Sequence, residues 1–157
     1  MNNIYLSKSK YCKAKQCNKI LWLDKNKPEE AVPKTSDSVL ENGTKVGELA
    51  RQYFGEYINI DFDEILSNMI ENTKINLKNV PNIITEASFN FNNNFCSVDI
   101  LKNDIDGLEI YEVKSSTEVK DIYLDDVSYQ VYVLKNLGYR VKKASIMYIN
   151  NQYVREG

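Results

Sequence analysis

The stretch NIITEASFNFNNNFCSVDILKNDIDGLEIYEVKSST, residues 82–117, decides how this chain folds. NIITEASFNF (82–91), FCSVDIL (95–101) and LEIYEVKS (108–115) are rich in β-branched and aromatic residues and read as three strands. The asparagines at 92–94 and KNDIDG at 102–107 supply the turns. Together they predict a three-stranded antiparallel meander. Its last strand sets Glu112 and Lys114 two residues apart, and therefore on one face.

Outward from the meander the pattern turns helical. Over residues 36–54, Val39, Gly43, Val46, Ala50 and Tyr53 recur at helical spacing, and Gly55 suits the stop. Two glycines inside a helix cost roughly 1 kcal/mol each against alanine, which predicts close packing against something flat. Residues 56–80 are ambiguous, with DEILSNMIENTK suited to a short helix. After the meander, residues 121–137 predict a helix with Leu124, Val127, Val131 and Leu134 on one stripe and Gly138 as its stop. YRVKKASIMYIN, residues 139–150, reads as a last strand. Helix, three strands, helix, strand is an α/β order, a mixed central sheet flanked by helices.

The loop DKNKPEEAVPKTSD (24–37), with Pro28 and Pro33, separates this core (36–150) from a basic opening segment (1–27). Within the opening, IYLSKSKYCKAKQCNKILWL (4–23) offers Ser7 or Ser9 as the cap of a short helix. Seven lysines up to residue 27 face a single acid, Asp24. The 157 residues suit one domain, 1–157. Hydrophobic residues at 43% and charged residues at 27% are ordinary for a globular protein. A net charge of −2 gives no global signature of nucleic-acid binding, so such a partner requires a local patch or metal ions. The absence of histidine excludes Ser-His-Asp, Cys-His and His-ligated zinc chemistry. No apolar run approaches a membrane span and the N-terminus lacks a signal-peptide core, which predicts a cytoplasmic protein. Cys12, Cys17 and Cys96 are odd in number and suit reduced thiols.

With the second turn centred near Asp104 and Ile105, Asp99 lies opposite Ile110 and Glu112 is its diagonal neighbour on the face that also carries Lys114. Val98, Ile100, Tyr111 and Val113 make the opposite, apolar face. Two carboxylates so close repel each other, and a divalent cation between them, Mg²⁺ or Mn²⁺, relieves this. A carboxylate-held metal with a nearby ammonium fits phosphodiester hydrolysis. The same residues also suit a solvated face with cross-strand ion pairs, because D…ExK is a short pattern. Lys8, Lys10, Lys13 and Lys15 stand in a segment where Tyr5, Tyr11 and Trp22 interleave with the lysines, a mixture suited to nucleic-acid backbone contact and base stacking, or simply to a solubilising face.

VDI, then IYEVKSS, then a helix carrying YQVYVL resemble the PD-(D/E)xK nuclease superfamily, and within it the RecB-like branch that includes the CRISPR-associated exonucleases. LSKSKYCKAKQCNKILWL and GTKVGELAR resemble the opening segment and first helical motif of that branch. EVKSST…DDVSYQVYVL…INNQYVREG is most similar to an uncharacterised bacterial group in which a nuclease-like domain begins a longer protein. The resemblance implies a restriction-endonuclease-like αβββαβ core and metal-dependent cleavage of DNA. It implies Asp99 and Glu112 as metal carboxylates, the Val113 carbonyl as a further ligand, Lys114 as the catalytic lysine and Gln130 as the glutamine that braces the site. It also implies further sequence, a C-terminal domain or a protein partner.

This chain departs from the family pattern in places. Val98 replaces the proline before the aspartate, Leu134 stands where the helical motif has tyrosine, and Gly47 stands where the first motif has histidine. Glu86 and Glu48 are the candidates for a third metal carboxylate; Glu48 points away from the stripe of its helix. Three cysteines cannot complete the four-cysteine iron–sulfur cluster of many relatives. The missing histidine and tyrosine favour a second expectation, a module that binds nucleic acid or protein without turnover.

Overall fold

The computed structural model describes residues 5–30 and 37–156, with the backbone alone for 37–40. A two-residue strand β1 (Leu6–Ser7) leads into helices α1 (Lys8–Gln16) and α2 (Asn18–Asn26), then a 3-10 turn (Pro28–Glu30). Helix α3 (Asp37–Tyr53), strand β2 (Ile58–Asn59) and helix α4 (Leu66–Asn76) precede the long strands β3 (Asn82–Phe91), β4 (Asn94–Asp104) and β5 (Gly107–Lys114). Helix α5 (Asp121–Asn136) and strand β6 (Val141–Tyr148) follow. The protein is α/β: the described residues form a mixed, open, six-stranded sheet of order β2–β3–β4–β5–β6, β1 lying beside β4, with five helices around it. The expected meander is β3–β4–β5, antiparallel throughout, while β2, β1 and β6 add parallel neighbours. Pro33 and the expected helix start at Ser36 fall outside the described residues, as does the side chain of Val39. Among the described residues no helix is long and apolar enough to cross a membrane.

Local chemistry explains the turns. Asn92 and Asn93 take φ of 46° and 62°, the left-handed pair that a two-residue hairpin needs and that asparagine tolerates. Gly138, at φ 87°, ends α5, where Tyr139 N–H donates to the Leu134 carbonyl at 3.1 Å. Ser7 caps α1 by accepting from Lys10 N–H at 3.3 Å.

The β4–β5 register differs from expectation by two residues. Asp104 pairs with Gly107 and Leu101 with Ile110, so only Ile105 and Asp106 form the turn. Two residues is one full strand period, so the shift by itself moves no side chain to the other face. The same register puts Asp99 in line with Glu112 itself. The ladder stops one pair short, at Ile100–Tyr111, and Val113 N–H instead donates to Asp99 Oδ2 at 2.7 Å.

A second irregularity lies across the strand. Between the pairs Thr85–Ile100 and Ala87–Val98, Glu86 drops out of the ladder with φ 57°. A left-handed glutamate costs on the order of 1–3 kcal/mol and persists only where its surroundings impose it. The core cluster takes Ile84, Leu101 and Ile110 on one side of this point and Ala87, Phe89, Cys96 and Val98 on the other. Those sets are an odd number of residues apart, so the in–out alternation of β3 and β4 is reset at Glu86 and Asp99.

Helices cover both faces of the sheet, as expected, but the expected apolar face is divided: Val98 lies in the core cluster with Leu101 and Ile110, while Tyr111 turns to the side of α3. Phe54, beyond α3, packs on Tyr111 with ring centres 4.8 Å apart, and Ala50 is buried. Helix α5 covers the other face through Tyr129, Val133 and Leu134. There Leu108 and Ile110 are buried in the same row as Glu112, so the charged site closes the end of an apolar layer. The α5 stripe is rotated from expectation: Leu124 is exposed, while Asp126, Tyr129 and Gln130 are buried. The glycines of α3 pack less closely than expected: a Cβ at Gly47 meets nothing within 4 Å, and one at Gly43 only Ser115 Oγ, at 4.0 Å.

Gly107, by contrast, is sterically required. Its φ is 136°, and a Cβ there would lie 2.6 Å from the Arg140 carbonyl oxygen, which accepts from Leu108 N–H where β5 meets β6. Gly107→Ala should cost more than about 1 kcal/mol in urea unfolding. An unchanged midpoint would contradict this packing.

Candidate functional site

Glu112, on β5, is 2% exposed, yet it ends the apolar row Leu108–Ile110 with a charge. Burial of a carboxylate demands partners, and three elements supply them. From α1, Lys8 Nζ donates to Glu112 Oε1 at 3.0 Å and Oε2 at 2.9 Å. From the same strand, Lys114 Nζ donates to Oε1 at 2.6 Å. From α5, Gln130 Nε2 donates to Oε2 at 2.6 Å. The structure therefore brings Asp99, Glu112, Lys114 and Gln130 together, and adds Lys8 to them.

Asp126 completes the cluster. It lies one helical turn before Gln130, on the same face of α5. It accepts from Lys114 Nζ at 2.8 Å and from Gln130 Nε2 at 3.0 Å, and Lys8 Nζ lies 3.6 Å from it. Sequence reasoning missed Asp126, because the stripe on this helix was read from apolar residues alone. An acid four residues ahead of a glutamine already assigned to the site was the available signal.

The placement of α1 explains how Lys8 arrives. Tyr11 stacks on Tyr129 of α5, ring centres 4.9 Å apart, and the Tyr129 hydroxyl donates to the Leu6 carbonyl. These contacts aim the first residue of α1 inward. The other three lysines of the expected basic patch are exposed and stand apart from the cluster. Lys10 lines a separate cavity of about 870 Å³ with Tyr5, Leu21 and Phe95. Lys13 pairs with Asp24 at 2.6 Å and Lys15 with Asp125 at 3.4 Å.

Asp99 belongs to both sides of the sheet opening. Lys8 Nζ is 3.7 Å from it. It also lines a cavity of about 270 Å³ with Glu86, Arg51, Lys114, Val113 and the α3 glycines Gly43 and Gly47. Glu86 accepts from Arg51 at 2.9 Å and from Ser97 Oγ at 3.3 Å. Of the two candidates for a third carboxylate, Glu86 faces this cavity, whereas Glu48 is exposed on α3 and absent from its lining. Leu134 is in the core. Cys12, Cys17 and Cys96 are free thiols, and Cys96 is buried in the core, where burial pushes its pKa up to about 12.

Electrostatics follow from burial and charge count. Burial, reinforced by the charge of Asp99, pushes the Glu112 carboxyl up to about 7. Lys8 and Lys114 oppose the shift, but Asp99 and Asp126 balance them, leaving burial uncompensated. Burial also opposes ionisation of Asp126; the charge of Lys8 and the hydrogen bond from Lys114 outweigh it and lower that pKa. For Lys8 burial works against the ammonium, and Asp99, Glu112 and Asp126 overcome it, raising its pKa. Glu86 is raised by burial and by Asp99, against Arg51.

Among the described residues no three Asp, Glu or Cys side chains stand at the spacing of a ready-made metal site. Three carboxylates instead converge on one ammonium, Lys8. Carboxylate oxygens are the donors a hard divalent ion takes. In addition, Gln130 Oε1 is buried without a hydrogen-bond partner, while its amide nitrogen serves two carboxylates. The donor set fits Mg²⁺ or Mn²⁺ at the point of convergence; the present spacing is that of the ammonium. Comparison of the chain with protein-family models, with curated proteins and with solved structures found no match.

The raised Glu112 pKa has a consequence for stability. A carboxyl whose folded pKa exceeds its unfolded value contributes stability that is fully present below the unfolded value, near 4.5, and lost as pH rises through about 7. The melting temperature in metal-free buffer should therefore rise as pH falls from 8 to 5. Glu112→Gln should flatten that rise, leaving the smaller share of Glu86, which acts in the same direction. Identical slopes for both proteins would contradict the assignment.

Proposed function

We propose that this chain is a metal-dependent nuclease of the PD-(D/E)xK type that hydrolyses DNA phosphodiester bonds on a restriction-endonuclease-like fold. The order α3–β3–β4–β5–α5–β6 supports that reading of the fold. One observation carries the function: where the β4–β5 ladder opens, Asp99, Glu112 and Lys114 meet, with Gln130 buried against Glu112.

Asp99 and Glu112, with the Val113 carbonyl, are the groups to hold Mg²⁺ or Mn²⁺. When bound, such an ion polarises the phosphodiester and offsets the charge of the transition state. The chain's own residues do the rest. Gln130 fixes the orientation of Glu112, and Asp126 holds Lys114 in place. Lys114 lines the cavity beside Asp99 and is the compact cation that meets phosphate oxygens there. Gly43 and Gly47 put no side chain into that cavity, so from α3 it is Arg51, held on Glu86, whose side chain lines it. Lys10, Lys13 and Lys15 provide exposed charge for the nucleic-acid backbone.

A second reading, a nucleic-acid-binding or interaction module without turnover, is favoured by one observation: an ammonium already stands among the carboxylates. Labelled single- and double-stranded DNA incubated with Mg²⁺ or Mn²⁺ separates the two. The nuclease reading expects cleavage by the wild type, none by Asp99→Ala, and a loss of about 10²-fold or more in Lys114→Ala. Binding without cleavage selects the second reading. A fully active Lys114→Ala protein, free of contaminating nuclease, would overturn the catalytic assignment.

A further inference from the structure

We infer that Lys8 is a built-in counter-ion of the site carboxylates and that a divalent ion enters by displacing it. The inference rests on the metal-dependent reading above. Lys8 Nζ lies 2.9 Å from Glu112, 3.6 Å from Asp126 and 3.7 Å from Asp99. These oxygens come from two strands and a helix, and Lys8 sits at the point they share. It does so from the first residue of α1, where Tyr129 anchors the backbone through the Leu6 carbonyl.

Charge balance argues for exchange over coexistence. With every group ionised, three carboxylates and the ammonium groups of Lys8 and Lys114 leave the cluster one negative charge in excess. A divalent ion added beside both lysines would leave it one positive charge in excess, in a place where Glu112 is 2% exposed. A divalent ion in the place of Lys8 makes it neutral. Lys114 stays, held by Glu112 and Asp126 at 2.6 and 2.8 Å. The Lys8 side chain is 19% exposed, so water already reaches it, and it can leave by rotating about its own bonds while α1 stays docked. Metal affinity is then reduced by the fraction of time that Lys8 is seated.

Calorimetry with Mn²⁺ alone, on the full chain, tests this. Lys8→Gln should bind Mn²⁺ about tenfold more tightly or better, as expected if Lys8 is seated about nine-tenths of the time. Lys74→Gln, an exposed lysine on α4, should match the wild type. Binding by Lys8→Gln equal to or weaker than the wild type overturns the inference and leaves the metal reading standing. No binding by either protein overturns both. A second measurement needs no variant: amine acylation of the wild type, read by mass spectrometry, should label Lys8 faster with Mn²⁺ than without. Unchanged Lys8 labelling while Mn²⁺ binds overturns the displacement.

Discussion

The carboxylate of Glu112 is the constraint around which this molecule is arranged. It is 2% exposed at the end of a row of buried aliphatic side chains. Alone there it would be too costly to remain ionised. Two ammonium groups and one amide reach it within 3.0 Å, from α1, from its own strand and from α5. A buried charge network of this kind is weak evidence for stability and stronger evidence for a site, because apolar residues of similar size would pack there with less difficulty.

The surrounding structure follows from supplying those partners. Helix α1 must reach the sheet for Lys8 to arrive, and its Tyr11–Tyr129 stack holds it there. Helix α5 must turn Asp126 and Gln130 inward, which displaces Leu124 to the surface. The β4–β5 ladder must open beside Glu112, where Asp99 takes over the Val113 N–H as a side-chain acceptor. Across the strand, Glu86 is held left-handed next to Asp99. Backbone strain and broken pairing thus gather at the carboxylates, away from the regular core of Leu101, Ile110 and Leu134.

Much of this was legible in the sequence. Period-two alternation and asparagine-rich turns are local signals, so the meander, its flanking helices and the last strand could be read directly. The expected register was off by two residues at the second turn, yet Asp99 and Glu112 still meet, because the true register sets them in line and Lys8 reaches both. Gln130 was expected only from the resemblance carried by YQVYVL, and it lies buried against Glu112. The place of Lys8 was not legible. It stands in a run of lysines, and its partner Glu112 is 104 residues away, so nothing local separates the one lysine that turns inward from those that face solvent. Asp126 had a signal in its spacing of four from Gln130, but whether that face turns inward depends on how far α5 rotates, a matter of tertiary packing. The left-handed Glu86 has no signature in residue type at all.

Asp99, Glu112 and Asp126 surround one ammonium, that of Lys8, and the proposal is that a divalent ion takes its place. A crystal structure grown with Mn²⁺, with the manganese located by anomalous scattering, tests it most directly. The expected result is a peak in the place of Lys8 Nζ, between Asp99 and Glu112 and facing Asp126, with Lys8 withdrawn and Lys114 still on Asp126. A peak elsewhere, or none, with Lys8 still seated on Glu112, would contradict it.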